Sequence, residues 1–162
     1  ANLPYYDRDQ VKFIYGLEPS EAMRALARPA VEESSLPVEF IDLPGEAIPL
    51  PDQSVDTVLL TYTLCTIPDR PTALAQMKRV LKPNGRLIFC EHGLSPDEDT
   101  ARWQRRVNPL WSKMAGGCHI EQPIPALIRD AGFDITELHE MYLPSTPKVL
   151  GYNFWGEARL PG

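Results

Sequence analysis

The chain has 162 residues, the length of one ordinary domain, and 43% of them are apolar, enough for a real core and against general disorder. Its net charge of -6, with no long basic run, sets nucleic acid aside as a main partner and leaves a small neutral or cationic ligand open. No stretch approaches the roughly 20 apolar residues of a membrane-spanning helix, and the N-terminus lacks a basic-then-apolar signal pattern.

Cys65, Cys90 and Cys118 are three in number and have no CxxC spacing. That argues against a disulfide framework or a structural zinc site, so no metal is expected. They read as buried small apolar residues in a reducing, cytoplasmic setting. The 17 prolines are scattered, so they punctuate elements and form no linker.

In chain order, residues 11–17 form a short β-type run. Pro19 then suits the first turn of a helix. Ala22, Met23, Leu26 and Ala27 recur at helical spacing, and Pro29 is expected to stop that helix. Residues 38–41 are a second strand, and residues 44–52 a loop punctuated by Pro44, Gly45, Pro49 and Pro51. Residues 55–61 (VDTVLLT) read as a near-continuous apolar run, as in a strand buried on both faces. Asp69 or Thr72 caps the next helix, whose apolar face is Leu74, Met77, Val80 and Leu81. Pro83-Asn84-Gly85 ends it, and residues 86–90 are a strand.

A longer helical pattern carries Trp103, Val107, Leu110, Trp111 and Met114. The commoner reading of that stripe is a core-facing one, with a break or kink at Pro109. Ile124, Leu127, Ile128 and Ala131 mark a further helix, with Gly132 as its C′ residue. Two strands, about 133–142 and 149–158, close the chain with no helix between them, so the last is expected antiparallel, at or near an edge. The alternation implies one α/β domain over residues 1–162, a Rossmann-like, mostly parallel sheet with helices on both faces.

Ligands of such folds sit beyond the carboxyl ends of the strands. Glu18 follows the first strand, Gly45-Glu46-Ala47 the second, Thr61-Tyr62-Thr63-Leu64 the third and Glu91-His92-Gly93 the fourth. A carboxylate at the position of Glu18 can accept hydrogen bonds from both vicinal hydroxyls of a ribose. The alternative is an exposed acid favoured by a helix N-terminus. Such a ribose-binding acid follows a glycine-rich turn by roughly 20 residues, which places that turn at or before residue 1. The fold is therefore expected to be N-terminally truncated; in the family that the segments below resemble, the strand before that turn is central, which implies two bare strand edges through which a homodimer can form.

The stretch from Leu50 to Asp56, with VLLTYTLCTIPD, LAQMKRVLKPNGRLIFCEHG and Ala131-Gly132-Phe133, resembles the type 11 group of class I S-adenosylmethionine-dependent methyltransferases, which includes the ubiquinone and menaquinone enzymes. Leu64-Cys65, Cys90-Glu91-His92, Gly117-Cys118 and Gly151-Tyr152 resemble the thiol-directed members. The resemblance implies S-adenosyl-L-methionine as cofactor and a small-molecule acceptor of thiol, phenol or quinol type. It implies that Glu18 binds the ribose hydroxyls, that Pro19, Ser20 and Met23 flank the adenosine, and that Gly45, Glu46 and Ala47 meet the adenine edge. Pro44 stands where many relatives have Asp. Thr61, Tyr62, Thr63 and Leu64 would line the methionine end and the transfer pocket.

His92 and Tyr62 are the candidate catalytic residues. The commoner role for His92 is capping a carbonyl. His119 is a second candidate base, and Tyr62 can equally shape the pocket or simply pack. A sulfonium methyl is already a strong electrophile, so alignment is the main requirement. A thiol acceptor, with a pKa near 8.5, needs little help from a base. The competing readings are a nicotinamide-dependent oxidoreductase, for which no Tyr-x-x-x-Lys pair is present, and a fragment that only oligomerises.

Overall fold

The computed structural model describes residues 2–162 and divides into two compact units, one ending at Ile48 and one running from Pro49 to Gly162. In the first, a single 3-10 turn (Leu3–Tyr5) precedes β1 (Ile14–Leu17), α1 (Glu21–Ser34) and β2 (Val38–Ile41). β1 and β2 pair in parallel, with Ile14 opposite Val38 and Leu17 opposite Ile41. Ser20 caps α1, its Oγ accepting the Met23 N–H at 3.3 Å.

One expectation for α1 fails. The helix continues through Pro29 to Ser34, because an interior proline removes one backbone bond and the turns on either side persist. Of its apolar side chains, Met23 and Leu26 are exposed.

The second unit holds β3 (Val55–Thr61), α2 (Arg70–Val80), β4 (Leu81–His92), α3 (Glu98–Met114), α4 (Ile124–Asp130), β5 (Asp134–Tyr142) and β6 (Tyr152–Arg159). Its sheet order is β3-β4-β6-β5. β3 and β4 are parallel, and β6 is antiparallel to both its neighbours, so β3, β4 and β5 share one direction. The last strand is thus antiparallel, as expected, and lies one place in from the edge. Gly156 in β6 faces a bulge between Ile135 and Glu137, where an added Cβ would sit 1.9 Å from the Glu137 carbonyl oxygen. Only glycine lets the two backbones approach that closely.

α2 begins at Asp69, whose side chain accepts the Thr72 N–H, and buries Ala73, Leu74, Met77 and Val80. β4 starts directly at its end, not after Pro83-Asn84-Gly85. Val55 pairs with Leu81 and Thr57 with Arg86, so the Pro-Asn-Gly turn is accommodated in a break of register. Leu60, Leu81, Leu87, Phe89, Ile124 and Ile128 form the buried centre.

α3 departs most from its sequence pattern. It runs unbroken through Pro109 and buries Thr100, Ala101, Gln104 and Asn108, while Trp103, Leu110 and Met114 are exposed. The cause lies in the segments around residues 93–95 and 119–121, whose buried backbone needs partners. Gln104 accepts the Ser95 N–H at 2.8 Å and donates to the carbonyls of Gly93 at 3.0 Å and Ile120 at 3.3 Å. Asn108 accepts the Ile120 N–H at 3.1 Å. Leaving those groups unpaired would cost about 1–3 kcal/mol each, as much as burying another large apolar side chain returns. Among the described residues no helix is long and apolar enough to cross a membrane.

Candidate functional site

Glu18 stands immediately beyond β1, and its N–H donates to the Ile41 carbonyl at 3.1 Å, which fixes it at the carboxyl end of the parallel pair. Its Oε1 accepts the Ser20 N–H at 2.9 Å. That local bond, made across the proline-containing turn, orients the carboxylate. Arg24 clips the two strand ends together, one terminal nitrogen donating to the Glu18 carbonyl at 2.6 Å and to Asp42 Oδ1 at 2.7 Å. Pro19 lies just before the cap, and Met23 is in the first turn of α1. Beyond β2, the Ala47 N–H donates to the Pro44 carbonyl at 3.0 Å and closes a turn over Gly45 and Glu46. The first unit therefore carries two of the expected segments at the carboxyl ends of adjacent parallel strands.

In the second unit the segment after β3 is held from both directions. Glu91, in β4 and fully buried, accepts the N–H groups of Thr63 at 2.8 Å and Leu64 at 3.1 Å on Oε1. Arg70 grips the carbonyls of Leu64 at 3.1 Å and Cys65 at 3.2 Å. The Tyr62 N–H donates to the Cys90 carbonyl at 2.9 Å, and Thr63 Oγ1 donates to the Thr61 carbonyl at 3.0 Å. Tyr62 takes a left-handed φ of 52°, which turns the chain sharply off the strand. Burial raises the Glu91 pKa above the ordinary range, although the bonds from Thr63 and Leu64 pull it down. The Leu64 side chain is packed in the core.

Tyr62 and His92 are brought together, their rings 5.4 Å apart and tilted by 40°. Burial, reinforced by the neighbouring Cys90 sulfur, pushes the Tyr62 phenol up to about 12, so at neutral pH it is a hydroxyl and not a base. His92 does not cap a carbonyl through Nε2. That nitrogen lies 2.7 Å from Cys118 Sγ, which in turn lies 3.3 Å from Cys65 Sγ. Hydrogen bonding to Cys65 and then contact with His92 hold the Cys118 thiol below its ordinary range, while hydrogen bonding to Cys118 and burial push Cys65 up. Cys65 and Cys118 are buried, as the sequence suggests, while Cys90 is half-buried; Cys118 is a polar partner of His92 and of Cys65, more than apolar filler.

His119 lies apart in its contacts, with Nδ1 3.0 Å from the Asn108 amide and 3.3 Å from Glu121 Oε1. Sequence reasoning missed Glu91 and Arg70 as the clamps of residues 61–65, and it missed the Cys65–His92–Cys118 cluster. Glu91 and His92 were visible as strand-end residues; Cys118 joins them through a turn after α3 that no spacing announces.

A family model described as a methyltransferase domain matches residues 1–89. The chain is 34% identical over 108 residues to the thiol S-methyltransferase TMT1B of Rattus norvegicus, covering 63% of this chain and 44% of that protein. It is 29% identical over 135 residues to the ubiquinone/menaquinone biosynthesis C-methyltransferase UbiE of Cronobacter sakazakii, covering 72% and 54%. The chain thus spans about half the length of these curated relatives. A solved structure of a SAM-dependent methyltransferase from Methanosarcina mazei superposes with a TM-score of 0.72 at 20% identity, over 93% of this chain and 83% of that one. At that identity the likeness establishes the Rossmann-like α/β fold.

Proposed function

The chain belongs to the methyltransferase-domain family, and from that premise we propose that it uses S-adenosyl-L-methionine to methylate a small-molecule thiol. The observation that carries the reading is Glu18, a carboxylate held at the end of a parallel strand by the Ser20 N–H. That donor set fits the cofactor: one acidic side chain with two acceptor oxygens meets two adjacent hydroxyls of a ribose. Ser20 and Pro19 keep the carboxylate in place, and the turn over Gly45 and Glu46 offers backbone groups to the adenine edge. Thr61, Tyr62 and Thr63 line the methionine end, with the backbone of Thr63 and Leu64 pinned by Glu91 and Tyr62 beside His92. The family match, over residues 1–89, takes in residues of both compact units and supports reading them as parts of one methyltransferase domain.

When bound, the cofactor supplies an electrophilic methyl on sulfonium. The residues then have to exclude water and align an incoming nucleophile. The protonated Tyr62 hydroxyl can orient an acceptor but cannot accept its proton at neutral pH. A thiol, already partly ionised near neutrality, suits a site built that way better than a phenol. The names of the relatives favour thiol and quinol acceptors. Three free cysteines agree with a reducing, cytoplasmic setting, and β3, a terminal strand of its sheet, offers an edge for a homodimer.

The test is product formation. With S-adenosyl-L-methionine and panels of small thiols, phenols and quinols, the full-length protein should yield the methyl thioether fastest, detected by mass spectrometry. No methylated product from any panel, together with binding of NADH, would contradict the reading.

A further inference from the structure

The cluster formed by Cys65, His92 and Cys118 serves no step above, and its three donor atoms lie within 4.8 Å of one another. Three separate segments deliver them. Cys65 follows β3, and its carbonyl is fixed by the His119 N–H at 3.0 Å and by Arg70. His92 is the last residue of β4, paired with Asn153 of β6. Cys118 returns from the end of α3 through Gly116 and Gly117, both left-handed with φ of 61° and 88°, a reversal that residues with a Cβ make at a cost. Around the sulfurs pack Ile120, Val107, Trp111, Ala115 and Leu150.

We propose that Cys65, His92 and Cys118 bind one zinc-class divalent ion. Two thiolates and an imidazole are the ligands such an ion prefers, and three protein ligands leave a fourth position for an outside molecule. Zinc bonds of about 2.0–2.3 Å in tetrahedral geometry separate neighbouring donors by roughly 3.4–3.8 Å. The 2.7 Å between His92 and Cys118 and the 3.3 Å between the sulfurs need widen by less than about 1 Å, and the remaining His92–Cys65 separation, no more than 4.8 Å, has to close by about 1 Å. Charge decides the valence. A divalent ion with two thiolates is neutral, which an apolar shell accepts, whereas a monovalent ion would leave a net negative charge there.

The inference stands independently of methyl transfer. The full-length protein, purified without chelators under reducing conditions, should retain about one zinc per chain by elemental analysis, the count a single three-ligand site allows. After chelation, Co²⁺ should restore a tetrahedral spectrum with sulfur-to-metal charge-transfer absorption, and Zn²⁺ should displace it. Cys65→Ser and Cys118→Ser should each weaken that band and lower affinity at least tenfold. His92→Gln, which keeps both sulfurs, should keep the band but lose affinity. Cys90→Ser should change nothing. Circular dichroism separates loss of ligand from loss of fold, and His92→Gln carries the test if a buried cysteine variant unfolds. Absence of retained zinc together with a purely aqueous Co²⁺ spectrum would overturn the proposal, as would a band unchanged in folded Cys118→Ser.

Discussion

Two glutamates follow or end strands in this molecule, and they differ in what surrounds them. Glu18 is half-buried beyond β1 and spends one oxygen on a local turn with Ser20. Glu91 is fully buried in β4 and spends one oxygen on the N–H groups of Thr63 and Leu64. In the function proposed above, the first presents a carboxylate to a ligand. The second is placed to hold a loop, and its burial is the more costly, since it carries a charge or a proton where water cannot reach. Position at a strand end therefore does not distinguish ligand contact from scaffold; burial and the partners of the oxygens do.

The largest expected effect breaks the scaffold. Glu91→Ala strands two backbone donors, so urea denaturation should show a loss of about 2–4 kcal/mol, the cost of leaving two such groups unpaired. A loss no larger than that of an exposed surface change would mean that the loop holds itself. Next in size is a pH effect. Because the folded pKa of Glu91 is raised, its contribution to stability is fully present below the unfolded value of about 4.3 and is lost as pH rises through the folded value. Glu91→Gln keeps an acceptor oxygen and removes the titration. Between pH 4 and 8, the wild type should lose stability relative to that variant, and a relative gain would reverse the assignment of burial as the dominant cause. The smallest effect concerns Tyr62. With its hydroxyl protonated up to about 12, Tyr62→Phe should lower the rate of methyl transfer less than about tenfold. A fall of the 10²–10⁴-fold size typical of a lost general base would make it one.

Much of the frame is legible in the sequence, for reasons these residues make plain. β2 and β3 have the bounds that their apolar runs mark, because a short apolar stretch between turn residues has few other solutions. The antiparallel last strand follows from the missing helix between β5 and β6. α3 is illegible because periodicity assumes that the apolar stripe faces inward. Here buried loop backbone draws Gln104 and Asn108 inward, and Trp103, Leu110 and Met114 face out. Glu18 and the segment 61–64 stand at strand ends in the structure, where the apolar runs of the sequence put them. The clamping role of Glu91 depends on a tertiary approach of β4 to the segment after β3, and the cysteine–histidine cluster on segments separated by 26 and 53 residues.

The most direct test of the contrast is calorimetric titration of S-adenosylhomocysteine into the full-length protein and its Glu18→Ala variant. The account predicts binding that weakens by about 1.5–3 kcal/mol in the variant, the scale of a hydrogen bond to a charged group, with folding stability nearly unchanged. Equal affinity in the two proteins would contradict it.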